Sequence, residues 1–281
     1  MIHRRGPWRS LEAVEYAPLE WIDRFDNRPL LEPIGNIPPA EAEQRWWDDQ
    51  ERTAIAALAQ SAGPPTNPAR FAAPIGGYDV DNLVRDSLGV ADAVGAERFH
   101  WVGCSVGGVI GLRMAAEVPS RVQSLFVCGA SAEAEPIEKL AAYESLLLDT
   151  FAEHPERAID RLMPILYGAP FLADPQNAAA VARQREIILS CGSARVARAA
   201  APVLRRVDIR HMLPHVACPT LVAVGELDGA NGPRKADVIA SGIPGARLVV
   251  MPGIGHQPNA EAPEAFGEMI ADFLESVGAR P

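Results

Sequence analysis

Four short apolar runs recur along the chain beyond residue 98, and each has the length of a buried strand. They cover residues 99–103, 122–128, 220–224 and 247–251. The third run, which is near-continuous in apolar residues, is typical of a strand buried on both faces of a parallel sheet. The pattern predicts four parallel strands with helices on both faces, as the only substantial sheet of the chain.

Helical spacing of apolar residues separates these runs. Residues 79–94 carry such a pattern with Asp79 as a plausible N-cap, and residues 108–118 and 233–243 carry two more. Residues 134–202, between the second and third strands, are rich in alanine, leucine and arginine and show no strand pattern. We therefore predict an α/β domain over residues 76–281, with a helical insertion at 134–202 that acts as a lid.

The N-terminal third of the chain follows a different pattern. Residues 1–52 contain no strand-like run, and the best helical pattern there lies at 11–25. Prolines and a glycine at 63–68 favour a linker within residues 53–75. We predict a mainly helical N-terminal segment that is joined by this linker to the α/β domain.

The first candidate catalytic residues lie at the end of the first predicted strand, where a glycine-rich turn leads into a helix. The turn reads Gly103-Cys104-Ser105-Val106-Gly107. A strand, a tight turn and a helix expose a serine hydroxyl as a nucleophile, and glycines on both sides let the backbones approach. Ser105 is the candidate nucleophile, and the backbone N–H of Val106 is a candidate oxyanion donor. The alternative is an ordinary strand-to-helix loop in which the serine has no role.

A serine nucleophile needs a histidine base and a carboxylate that orients the histidine. Asp228 follows the third strand, His256 follows the fourth, and both are expected on loops at one edge of a parallel sheet. Glu226 competes with Asp228 for the acid role because it lies two residues away on the same loop. We assign Asp228 as the acid and His256 as the base, and we interpret Glu226 as a solvated loop charge.

The motifs around Ser105, Asp228 and His256 are similar to those of a known protein superfamily. From about residue 76 to residue 277 the chain resembles the α/β-hydrolase superfamily, and within it the lactonase and esterase branch that includes 3-oxoadipate enol-lactonases. The matching strings are Tyr78-Asp79-Val80-Asp81-Asn82-Leu83-Val84-Arg85-Asp86, Gly103-Cys104-Ser105-Val106-Gly107-Gly108, Pro119-Ser120-Arg121-Val122, Pro219-Thr220-Leu221-Val222, Gly225-Glu226-Leu227-Asp228 and Gly255-His256. The resemblance implies several strands before the nucleophile, one of which ends in a His-Gly motif that supplies a second oxyanion donor. Neither is evident in residues 1–75, so the resemblance implies a truncated sheet.

Residues 1–52 carry a second resemblance, to the C-terminal end of DDE-type transposases of insertion sequences. The matching strings are Ile2-His3-Arg4-Arg5-Gly6-Pro7-Trp8-Arg9-Ser10, Trp21-Ile22-Asp23-Arg24-Phe25-Asp26-Asn27-Arg28 and residues 30–43. The last catalytic carboxylate of that family would precede Met1, so the resemblance transfers no metal ligand to this chain. It implies that an insertion element replaced the early strands of a hydrolase, with residues 53–75 at the seam.

Charge and composition limit the classes of binding partner that we expect for this chain. The chain has 281 residues and a formal net charge of -10, which disfavours an electrostatic hold on nucleic acid or on an anionic membrane. No apolar run reaches the roughly 20 residues that span a bilayer, and no secretory signal is evident, so we expect a cytoplasmic protein. The four cysteines are far apart in sequence and lack metal-site spacing. The site that these residues predict needs no metal and no cofactor.

The sequence thus predicts a serine hydrolase that acts on a small carboxylic ester or lactone. The alternative is a catalytically impaired hydrolase remnant, and a DNA-integration protein is a third hypothesis, which only residues 1–52 favour. Because the early strands and the second oxyanion donor are not evident, we expect little or no turnover. We also expect self-association through the exposed edge of the strand that leads to Ser105.

Overall fold

The structure is a computed structural model that describes residues 79–279 of the chain. The predicted N-terminal helical segment and the linker at 53–75 lie outside the described residues. The predicted α/β domain is described from Asp79 onward, with its four strands and all of the interval between the second and third strands.

Four strands form one parallel sheet in the described part of the chain. Their order across the sheet is the order of the chain, β1-β2-β3-β4. The strands are β1 (Phe99–Cys104), β2 (Val122–Cys128), β3 (Thr220–Gly225) and β4 (Arg247–Met251). Cys104 pairs with Cys128, and Gly225 pairs with Met251. The carboxyl ends of all four strands therefore meet at one edge of the sheet, and the loops that follow them are neighbours.

Helices occupy the intervals between the strands and the C-terminal end. They are α1 (Val80–Ala93), α2 (Val106–Glu117), α3 (Ile137–Glu144), α4 (Phe151–Glu153), α5 (Pro155–Leu166), α6 (Ala169–Ala173), α7 (Ala178–Ser190), α8 (Gly192–Leu204), α9 (Pro233–Gly242), α10 (Pro258–Glu261) and α11 (Pro263–Ser276). A π-helical segment covers Ser145–Thr150, and 3₁₀ turns cover Pro175–Asn177 and Arg210–His215. Asp79 caps α1, since its carboxylate accepts the Asn82 N–H at 3.0 Å.

Two apolar clusters cover the two faces of the sheet. On one face, side chains of α1, α2 and α9 pack against β2 and β3, with Leu112 and Ile239 at the centre. On the other face, Phe266 and Phe273 of α11 pack against Phe126 of β2. The two central strands, β2 and β3, are therefore buried on both faces, and this is the architecture of an α/β fold.

The interval between β2 and β3 is helical and has an apolar cluster of its own. Phe151, Ile159, Met163, Tyr167 and Phe171 are buried within it. We refer to residues 134–202 as the helical insertion. No helix among residues 79–279 is both long enough and apolar enough to cross a membrane.

Candidate active site

Ser105 stands at the turn between β1 and α2 in a strained conformation. Its φ of 53° and ψ of -120° make it the one residue other than glycine with positive φ in the described ranges. The turn is tight because a Cβ on Gly103 would lie 2.2 Å from the Gly107 carbonyl oxygen. A Cβ on Gly107 would meet nothing within 4 Å, so the close approach depends on Gly103. This is the geometry of a nucleophile elbow.

Two backbone groups define the surroundings of Ser105. The Ser105 N–H donates to the Cys128 carbonyl oxygen at 2.8 Å, which fixes the turn against the end of β2. Val106 is the first residue of α2, where an N–H has no acceptor within its own helix. This N–H can therefore donate a hydrogen bond to a negative charge that develops next to the turn.

Asp228 lies on the loop after β3 and is almost fully buried. Its Oδ1 accepts the N–H groups of Ala230 at 2.8 Å and Asn231 at 2.7 Å. Its Oδ2 lies 2.8 Å from Nδ1 of His256. Glu226 is exposed and accepts the Gly253 N–H at 2.9 Å instead. Of the two carboxylates on this loop, the structure brings Asp228 to the histidine.

His256 lies on the loop after β4 and is also buried. Because its Nδ1 donates to Asp228, its Nε2 is left to exchange a proton with a substrate or a nucleophile. Gly129, which follows β2, packs directly against this pair. A Cβ at Gly129 would lie 3.0 Å from Asp228 Oδ2 and 3.1 Å from His256 Nδ1. The pair therefore sits at the end of β2, beside the strand end that holds Ser105.

The hydroxyl of Ser105 forms no hydrogen bond with His256 in the part of the chain that the structure describes. Hydrogen bonds of this kind are often long or poorly aligned without substrate and tighten when it binds. The nucleophilic role of Ser105 stays a prediction, and it has the strained turn and the neighbouring His256–Asp228 pair in its support.

Asn231 ties the acid loop to the end of β2, a role that the motifs did not predict. Its side-chain N–H donates to the Gly129 carbonyl oxygen at 2.8 Å, and its Oδ1 accepts from Lys235 Nζ at 2.9 Å. Burial lowers the pKa of Lys235 below its ordinary value. Asn231 lies before the first residue of α9, so helical spacing in the sequence could not have indicated this contact.

A small cleft lies beside the elbow. Its lining includes polar side chains, those of Ser131, Arg206 and Asn231. The apolar side chains that line it belong to Val80, Val106, Val109, Pro202 and Val203. Ser105 also lines the cleft, so a bound molecule would lie next to its hydroxyl.

Cys104 lies beside Ser105 in the motif but is turned toward another environment. It packs at the apolar cluster of α11, next to the buried Cys128. A hydrogen bond with Cys128 lowers the pKa of the Cys104 thiol. Within residues 79–279, no group of three or more His, Cys, Asp or Glu side chains is arranged to hold a metal ion.

Comparison with known proteins adds a family match. A family model for the alpha/beta hydrolase fold matches residues 58–263. A curated relative is the pimeloyl-[acyl-carrier protein] methyl ester esterase of Neisseria meningitidis serogroup C, which is 28% identical over 200 residues. That alignment covers 68% of this chain and 77% of the esterase.

Solved structures are also similar to this chain. The enol-lactonase of Burkholderia xenovorans LB400 matches with a TM-score of 0.65 and 26% identity, over 72% of this chain and 75% of the lactonase. A thermophilic esterase of Thermogutta terrifontis matches with a TM-score of 0.65 and 26% identity, over 71% of this chain and 73% of that chain.

Proposed function

Because the chain belongs to the alpha/beta hydrolase family, we propose that it is a serine hydrolase that cleaves a small carboxylic ester or lactone. The observation that carries this proposal is the strained Ser105 at the end of β1, beside the hydrogen-bonded His256–Asp228 pair. Strained residues of this kind are retained where the rest of the fold holds them in place, and they cluster at functional sites.

The proposed reaction follows from the positions of the side chains. Ser105 Oγ attacks the ester or lactone carbonyl carbon while His256 Nε2 accepts the hydroxyl proton. Asp228 holds the imidazole in the tautomer that keeps Nε2 free, and it stabilises the imidazolium that forms. The same proton then passes from Nε2 to the leaving alkoxide, and an acyl-enzyme remains. Water then attacks the acyl carbonyl carbon while His256 Nε2 takes one of its protons. The bond between the acyl carbon and Ser105 Oγ breaks, the proton passes from Nε2 to Oγ, and the acid leaves.

The Val106 N–H supports the negative charge that develops on the carbonyl oxygen. Removal of one donor from an oxyanion hole costs roughly 100- to 1000-fold in turnover. The proposal relies on the one donor that the elbow supplies, so we expect turnover well below the common enzymatic rate of about 10 per second.

The substrate class follows from the cleft and from the relatives. The cleft at Ser105 is small and its lining mixes apolar and polar side chains, which is compatible with a small ester or lactone. Relatives named as a methyl ester esterase and an enol-lactonase support the same class. For this chain, a small uncharged ester or lactone is the substrate that we propose.

The second candidate is a hydrolase remnant that no longer turns over. Residues 1–52, which resemble the end of a transposase, favour it, because they stand where the resemblance to hydrolases implies early strands. The proposal that an insertion element produced this fusion can be tested separately, by searching the nucleotide sequence across residues 53–75 for an insertion boundary.

The two candidates are separated by steady-state hydrolysis of p-nitrophenyl acetate and of an unsubstituted aliphatic lactone by the full chain. We expect slow turnover that Ser105→Ala abolishes and that Ser120→Ala, a change in an exposed turn, leaves unchanged. Turnover that persists in Ser105→Ala would contradict the proposed nucleophile. Absence of turnover in the unsubstituted chain would favour the remnant.

A further inference from the structure

Glu261 holds the loop of His256 through backbone hydrogen bonds. It is the last residue of α10, and its Oε2 accepts the Gly255 N–H at 2.8 Å. Its Oε1 accepts the Gln257 N–H at 3.2 Å. Gly255 and Gln257 are the residues directly before and after His256, so one carboxylate holds the backbone on both sides of the histidine.

The same carboxylate also binds the helical insertion. Glu261 Oε2 accepts a second N–H, from Gly168 between α5 and α6, at 2.8 Å. The neighbouring Leu166 carbonyl oxygen accepts the His256 N–H at 2.9 Å. The backbones are so close that a Cβ on Gly255 would lie 2.3 Å from the Gly168 nitrogen. The histidine loop and the insertion are thus joined by backbone contacts around Glu261.

Backbone N–H groups are the partners that the structure shows for the Glu261 carboxylate. Within the described residues it forms no ion pair, and it accepts three backbone N–H groups. Hydrogen bonds from an N–H to an ionised carboxylate are shorter and stronger than neutral ones. The pKa of Tyr167 rises to about 12, first through burial and then through the negative charge of Glu261, which agrees with a carboxylate close to this junction.

We propose that Glu261 is a positioning residue for the base of the hydrolase: it fixes His256 by its two neighbours and couples that loop to residues 166–168 of the insertion. This inference rests on the proposed function. The coupling means that the imidazole takes its place against Asp228 when the insertion is docked on the histidine loop. Glu261 itself contacts backbone groups and has no part in the bond changes.

Substitutions of Glu261 have a graded effect in this account. Glu261→Ala leaves three backbone N–H groups without an acceptor. Glu261→Gln keeps one oxygen that can bridge Gly168 and Gly255, but its amide group presents a donor to the Gln257 N–H. Displacement of a reacting group by about 1 Å costs roughly 100-fold. We therefore expect kcat to fall about 10- to 100-fold for alanine and less for glutamine, with KM within about twofold.

The test combines kinetics with a spectroscopic measurement on the full chain. Ester hydrolysis is measured for the unsubstituted chain, Glu261→Ala, Glu261→Gln and Glu268→Gln, an exposed acid of α11 that serves as the matched control. In parallel, proton NMR follows the low-field Nδ1–H signal of His256, which is assigned by its loss in His256→Gln. We expect the signal to shift or broaden in both Glu261 variants and to stay unchanged in Glu268→Gln.

The outcomes are distinguishable. If Glu261→Ala lowers the melting temperature but leaves kcat per folded molecule and the Nδ1–H signal unchanged, the residue is structural only and the inference is overturned. If the alanine variant does not fold, the glutamine variant decides by the same two measurements. If the unsubstituted chain shows no Ser105-dependent turnover, the proposed function fails. The NMR comparison then still decides whether Glu261 positions His256.

Discussion

Ser105 occupies a backbone conformation that costs an L-residue roughly 1–3 kcal/mol, since its φ is 53°. Its N–H bond to Cys128 and the start of α2 immediately after it hold the residue there. A serine without a role could be replaced by glycine at this position and relieve the strain. The strained backbone of Ser105 therefore favours a functional role for its hydroxyl group.

Gly129 offers a test of the space around the acid and the base. Its φ is +55°, and a Cβ would press on both Asp228 and His256. We expect Gly129→Ala to cost roughly 1–2 kcal/mol through the positive φ and to lower kcat at least about tenfold by displacing the pair. Urea unfolding and ester hydrolysis measure the two effects.

Gly245 provides the matched control for that substitution. Its φ is +76°, and a Cβ there would meet nothing within 4 Å. Gly245→Ala should therefore show a similar loss of stability without a loss of turnover. Equal turnover in the two variants would contradict the packing of Gly129 against a working Asp228–His256 pair.

Residues of the site differ in how far the sequence could reveal them. Ser105, Asp228 and His256 follow apolar strands directly, so a local pattern locates them at one edge of a sheet. Glu261 could not be identified in this way, because one of its partners, Gly168, is 93 residues away and contributes only a backbone N–H. Backbone donors leave no trace in side-chain identity, so contacts of this kind appear only in the folded chain.

Elements were predictable where apolar runs are uninterrupted. β2 and β4 have the predicted bounds, and β1 extends one residue further because Cys104 pairs with Cys128. α2 begins at Val106, two residues before its predicted start, since the turn at Ser105 passes directly into the helix. The helices α10 and α11 were not predicted, although α11 packs on one face of the sheet against Phe126 of β2. For α11 the local signal is present, since Pro263 is its first residue and Phe266, Ile270 and Phe273 recur at helical spacing.

A buried ion pair joins the chain near the two ends of the helical insertion. Arg206, which follows α8, donates to Glu135, which precedes α3, at 2.5 Å, and both side chains are 5% exposed. Arg206 also donates to the Glu133 carbonyl oxygen at 3.0 Å. Lys235 Nζ lies 3.5 Å from the same Glu135 carboxylate. The entry and exit of the insertion are thus joined to α9, which also carries the Lys235 contact to Asn231.

Breaking this pair should be costly. Arg206→Met leaves the Glu135 carboxylate buried with only the more distant Lys235, and loss of one partner of a buried pair costs roughly 3–5 kcal/mol. We expect a loss of about 3 kcal/mol in the free energy of unfolding, measured with urea.

The double variant Arg206→Met, Glu135→Leu controls for the lost packing of Arg206. It removes both charges, and an apolar replacement of a buried pair is often close to neutral. The double variant should therefore be more stable than Arg206→Met alone. A double variant that is less stable than the single one would contradict the stabilising role of the Arg206–Glu135 ion pair at the ends of the insertion.

At the scale of the whole molecule, the described sheet has β1 at one edge. β1 pairs with β2 on one side, and Val102 at its centre is 40% exposed. Edge strands with exposed apolar residues are sites of association between chains. We propose self-association through β1 and expect the weight-average mass in sedimentation velocity to rise with concentration.

A charge on this strand should oppose the association. Val102→Lys is expected to give a monomer over the same concentration range. Val94→Lys is the matched control, because Val94 is 74% exposed but follows α1 and belongs to no strand. If the unsubstituted chain is a monomer throughout, or if both variants associate alike, β1 is not the surface involved.

Covalent labelling tests whether Ser105 is a nucleophile that His256 activates. The full chain is treated with a fluorophosphonate, and intact mass and peptide mapping identify the modified residue. We expect one phosphonyl group per chain, on Ser105, with no adduct in Ser105→Ala, a strongly slowed reaction in His256→Gln and unchanged labelling in Ser120→Ala. An unlabelled chain, or an adduct that persists in Ser105→Ala, would contradict this expectation.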